Sequence, residues 1–137
     1  MKSLYISLLV TFFSLVSSAY HMHISIDRGY FKNGYSLSEA NTKTETTYML
    51  SNISNNQVRK ITVLTKDTYE LMKKNLIQIV EILKTSNQRK IASCTQSLTI
   101  KTHEKEKSFC TSQLNKIENT KLNAWLEKAR LYTGLKN

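Results

Sequence analysis

Asp67–Leu83 reads DTYELMKKNLIQIVEIL. Within it Tyr69, Met72, Leu76, Ile79, Val80 and Leu83 recur at intervals of three and four, the spacing that lines one face of a helix. Leu71, Ile77 and Ile82 widen that stripe. Asp67 stands where an N-cap belongs, with Glu70 three residues on in capping-box register. The polar side mixes Lys and Glu rather than carrying cations alone, so the apolar stripe belongs against a sheet, not on a membrane surface.

Working outward, the segments on either side supply that sheet. Thr46–Ser51 and Val58–Thr65 are rich in β-branched and aromatic residues, and Asn52–Gln57 between them is turn-like, which predicts a hairpin. Asn52-Ile53-Ser54 also fits the glycosylation tripeptide, which has meaning only in a eukaryotic secretory route. Further upstream, Tyr20–Asp27 alternates Met22, Ile24 and Ile26 with His21, His23 and Ser25, the pattern of a half-buried strand. Asn33-Gly34 is the signal of a tight turn, and polar Ser36–Thr46 reads as a surface connection.

Downstream, Ile91–Ile100 and Lys105–Thr111 predict a second hairpin with His103-Glu104 near its tip. Cys94 and Cys110 are equidistant from residue 102, so a turn centred there sets them face to face and lets a disulfide clamp the open end. Closing a loop of ~15 residues contributes roughly 3 kcal/mol in the chain-entropy picture. Ser112 is placed to cap a last helix carrying Leu114, Ile117, Leu122, Trp125, Leu126, Ala129 and Tyr132, with Gly134 as its stop. Asn119-Thr120 predicts a kink or a break in it. The sum is an α+β fold: an antiparallel sheet of about four to six strands covered on one face by two helices, with one hairpin-pinning disulfide.

The first nineteen residues stand apart. Lys2, the uncharged run Leu4–Val16 and small Ser17-Ser18-Ala19 form a signal-peptide pattern, with cleavage expected after Ala19. The apolar run is shorter than the roughly 20 residues a membrane-crossing helix needs. Residues 1–19 are therefore read as signal peptide and 20–137 as one exported domain without a transmembrane anchor, secreted or periplasmic. An oxidising compartment also suits the Cys94–Cys110 pair.

The formal charge is +10. From Val58 onward sixteen Lys or Arg face seven acids, whereas the part before it is balanced once Lys2 is gone. Such a field favours anionic partners: an envelope polymer, lipid head groups or an acidic protein. Aromatics are not interleaved with the basic clusters, so no specific nucleic-acid binding is expected.

Two groups are candidates for binding. Arg28, Tyr30, Phe31, Lys32 and Tyr35 concentrate rings and cations around glycine-permitted turns, the composition of a binding loop; alternatively the rings close one end of the core. His21 and His23 point the same way from one strand and present two imidazoles to a transition metal. No nucleophile elbow, H-E-x-x-H or phosphate loop occurs, and no motif calls for a cofactor. The expectation is a non-enzymatic exported binding protein acting as inhibitor, adaptor or envelope-associated module. The alternatives are a metal protein using the His pair and an enzyme without a recognisable motif.

Overall fold

A computed structural model describes residues 17–85, 94–102 and 106–134. The signal-peptide run up to Val16 and the hairpin tip His103-Glu104 lie outside them, as does the first part of the strand expected from Ile91. The strands are β1 (Ser17–Asp27), β2 (Lys32–Asn41), β3 (Thr46–Ser54), β4 (Gln57–Leu64), β5 (Ser97–Lys101) and β6 (Glu106–Cys110). They form one sheet in the order β4-β3-β2-β1-β5-β6, with every neighbouring pair antiparallel. Two helices, α1 (Lys66–Thr85) and α2 (Lys116–Tyr132), join them.

Alternation along the central strands puts Met22, Ile24, Tyr35, Leu37 and Leu50 on one sheet face, continued by Leu98, Ile100 and Phe109. These pack against Tyr69, Met72, Leu76, Ile79 and Leu83 of α1 and Leu122, Trp125 and Ala129 of α2 in one core. Each such side chain removed from water contributes about 1.5–3 kcal/mol. The Trp125 indole N–H donates to the Met72 carbonyl at 3.0 Å and ties the helices together.

Several local expectations are corrected. Asn33-Gly34 is not a turn; it lies inside β2, and the polar run after it continues that strand to Asn41, with Ser36 and Ser38 on the face away from the helices. Gly34 is needed because a Cβ there would stand 2.4 Å from the Ile24 carbonyl oxygen. The turn falls instead at Arg28–Phe31, where Arg28 N–H donates to Phe31 O at 2.9 Å and Gly29 takes a φ of +89°. The β3–β4 turn is tighter than expected, with Asn55 and Asn56 at φ 48° and 64°, the left-handed pair of a type I′ hairpin.

Helix starts are displaced as well. Thr65, not Asp67, caps α1, its hydroxyl accepting from Thr68 N–H at 3.3 Å. Asn115, not Ser112, caps α2 by accepting from Glu118 N–H at 2.9 Å, and Ser112 belongs to a short 3₁₀ turn, Thr111–Gln113. α2 runs unbroken through Asn119-Thr120, where Thr120 back-bonds to Lys116 O and the Asn119 amide donates to Leu114 O. Leu71, Ile77, Ile117 and Tyr132, expected inside, are exposed.

Cys94 and Cys110 form the expected disulfide with Cα atoms 5.7 Å apart. They are not a cross-strand pair, however. Ser97 is the residue opposite Cys110, and Cys94 reaches it from a bend ahead of β5.

Candidate functional site

The β1–β2 turn and the neighbouring part of α2 enclose a cleft of about 420 Å³ on the helix-covered side of the sheet. Ile24, Ile26 and Leu126 form its apolar wall, Phe31 and Tyr35 its aromatic lining, and Asn33 and Asn123 add amides. Arg28 enters from the turn, and Glu127 and Arg130 enter from α2.

The loop rings divide between core and surface. Tyr35 is core: it is 6% exposed and meets Trp125 edge-on with centroids 6.3 Å apart. Phe31 is 41% exposed beside the cleft, while Tyr30 is 95% exposed and outside it. Lys32 projects to the opposite face of the sheet, since it pairs with Asp27 in the alternation that carries His23 and Ser25. The predicted loop set is therefore divided. Arg28, Phe31 and Tyr35 converge, and Tyr30 and Lys32 do not join them.

The electrostatics of the cleft follow from pairing. Arg130 Nε donates to Glu127 Oε2 at 2.9 Å and its Nη2 engages Oε1, so both carboxylate oxygens are held by one guanidinium. That bond keeps the Glu127 carboxyl below the usual range and raises Arg130. Burial pushes the Tyr35 phenol up, opposed by hydrogen bonds from the Thr133 and Asn52 side chains. Asn52, itself buried, donates to Asn33 Oδ1 and Gly34 O at 3.3 Å each and braces the floor. Arg28 differs from Arg130: its Nε donates to Gln96 Oε1 at 3.2 Å, and among the described residues it has no carboxylate partner.

Gln96, Asn123, Glu127, Arg130 and Thr133 were not singled out as site residues by the sequence. They come from β5's approach and from α2, far along the chain from the loop. The only advance signal was the helical spacing of Glu127 and Arg130, which reads equally as a surface pair.

His21 and His23 share the open face with Ser25, Lys32, Thr99, Lys101 and Glu106 around a hollow of about 440 Å³. Ser36 Oγ lies 3.3 Å from His21 Nε2. Burial lowers the His23 pKa first, and the neighbouring His21, Lys32 and Lys101 charges lower it further. No group of three His, Cys, Asp or Glu side chains placed to hold a metal occurs among the described residues. On the same face Val58, Ile61 and Val63 of edge strand β4 are 57–69% exposed, so β4 turns its apolar side away from the helices while Thr62 pairs with core Leu50.

No protein-family model matches the chain, and neither a curated protein nor a solved structure matches it. No helix among the described residues is long and apolar enough to cross a membrane.

Proposed function

We propose that this chain is a small exported, non-enzymatic binding protein whose ligand occupies the Arg28–Phe31–Tyr35 cleft. The observation that carries this reading is Arg28: a guanidinium without a carboxylate partner among the described residues, at a cleft with aromatic and aliphatic walls. Such a combination of an apolar enclosure with a few fixed polar groups is the usual make-up of a ligand site. Binding rather than catalysis is favoured by the titrating groups there. Glu127 is held in its charged form and Tyr35 in its neutral form, so neither is poised to exchange protons near pH 7.

Export is supported by the Met1–Ala19 pattern and by the disulfide, which persists in oxidising compartments. The ladder between β1 and β2 also shifts register between Ser18 and Tyr20. Removal of residues through Ala19 thus leaves every pair from Tyr20–Glu39 to Asp27–Lys32 in place, and all of the β1–β5 pairing.

The test is capture of partners from the native surroundings by the processed protein at low and high salt, alongside an Arg28→Ala, Phe31→Ala variant. A partner kept at high salt by the wild type and lost by the variant is the expected result. Equal capture by both proteins overturns the assignment of the cleft. An intact mass beginning at Tyr20 checks the export step.

A further inference from the structure

We infer that the cleft takes the carboxylate of a small aromatic acid, with Arg28 as its anchor and Gln96 as the residue that positions Arg28. This rests on the reading of the cleft as the ligand site.

The charge count fixes the class of ligand. Arg130 and Glu127 neutralise each other through a two-pronged contact, which leaves Arg28 as the one uncompensated charge among the residues lining the cleft. The charged lining residues sum to one positive charge, so a ligand group of a single negative charge balances them, whereas a doubly charged phosphate leaves one negative charge in excess. A guanidinium whose Nε is already donated to Gln96 keeps its terminal nitrogens for the ligand, and that planar fork matches a planar carboxylate. Phe31, Ile26 and Leu126, none of them fully buried, offer apolar surface to a ring, and about 420 Å³ holds one ring with a short substituent.

Positioning comes from the disulfide bend. The Gln96 carbonyl accepts from Thr111 N–H at 3.0 Å and from the Thr111 hydroxyl at 3.1 Å, and Cys94 Sγ lies 3.1 Å from it. Thr111 adjoins Cys110, so the Cys94–Cys110 bond closes a ring of fixed contacts around Gln96. Its side chain is thereby held where Arg28 Nε finds it. On the other side, Arg28 is fixed by its own N–H bond to Phe31 O and by Gly29 N–H donating to Asp27 Oδ1 at 2.8 Å.

N-acetyl-phenylalanine and its neutral amide, titrated into the processed protein, separate the parts of this inference. The emission of Trp125, the single tryptophan, reports on the floor through its contact with Tyr35. The acid should bind at least about tenfold more tightly than the amide, the range for a hydrogen-bonded charged group. Arg28→Gln should abolish that preference. Gln96→Ala, or reduction of the wild-type disulfide, should weaken the acid several-fold and leave the amide unchanged. Equal binding of acid and amide overturns the carboxylate assignment while leaving the cleft as a site. Failure of both to bind overturns the aromatic-acid class, and the capture experiment with the Arg28, Phe31 variant then judges the cleft independently. A preference for the acid that survives both Gln96→Ala and reduction overturns the positioning role. Circular dichroism of each variant confirms that it is folded.

Discussion

Gly34→Ala is the sharpest test of the sheet on which the cleft is built. A Cβ at this position lies 2.4 Å from Ile24 O, 3.0 Å from Ser25 Cα and 3.1 Å from Ser25 Cβ, and the two nearest are backbone atoms of β1. No flexible side chain is available to yield. β1 and β2, both interior strands, must separate by close to an ångström, which loosens the ladder bonds on either side. Overpacking of this kind costs 1–3 kcal/mol, and weakening of flanking hydrogen bonds adds about 1 kcal/mol, for a total of roughly 3 kcal/mol. A domain of this size has about 5–15 kcal/mol of stability to lose, so the variant folds but is much weakened. With a urea dependence of about 1.5 kcal/mol per molar, the unfolding midpoint falls by roughly 2 M. Gly29→Ala is the control: its φ of +89° imposes backbone strain, but an added Cβ meets nothing within 4 Å. That strain costs about 1–2 kcal/mol. Urea unfolding followed by circular dichroism measures both. A Gly34→Ala loss no larger than that of Gly29→Ala refutes the close approach of the two strands, and with it the placement of Asn33-Gly34 within β2.

Removing the Cys94–Cys110 link by a double Cys→Ala change is expected to cost about 3 kcal/mol, since it closes a loop of ~16 residues, and chemical denaturation should show it. Asn115→Ala should cost about 1 kcal/mol through loss of the α2 cap, whereas Thr65→Ala rather than Asp67→Ala should be the costly change at α1, as thermal melts of the three variants would establish. For His23 the folded pKa is below the unfolded value, so the fold favours the neutral ring. Its contribution is complete above about pH 6.5 and is lost as pH falls from there toward the folded pKa. Urea midpoints from pH 8 to pH 5 should therefore decline less in His23→Gln than in the wild type.

α1 and β1 were legible because a long period of 3.6 and a clean alternation each identify one element and its buried side. β2 was not, because Asn-Gly satisfies a tight turn and a crowded strand equally well, and only the position of Ile24 O on the neighbouring strand decides between them. The β5–β6 register failed for a related reason. Symmetry about residue 102 assumes that both cysteines lie in the ladder, whereas the bend at 94–96 brings Cys94 back over Cys110 from outside it. β4 shows the limit of alternation itself. Val58, Ile61 and Val63 declare a strand, but the sequence carries nothing to say that this apolar side faces away from the helices. Helix caps moved by two or three residues because Thr, Asp, Ser and Asn compete locally for the same role.

The site was half legible for reasons of charge. A formal +10 invites the reading of a broad cationic face, yet that excess sits on side chains in water and ion pairs occupy some of the cations nearest the two hollows. Lys101 meets Glu106 at 3.9 Å with both side chains largely in water, an ion pair worth about 0–1 kcal/mol. Arg130 is occupied by Glu127. A lysine in water is further screened within about 8 Å at physiological salt. Arg28 is exposed too, but it differs in lining a cleft and in lacking an acid of its own among the described residues. One cation so placed discriminates between ligands better than many on an open surface, since the walls of the cleft select the shape that reaches it. On the proposed reading, specificity comes from one guanidinium that tertiary packing leaves without a carboxylate partner among the described residues, and a net charge summed along the chain cannot locate it.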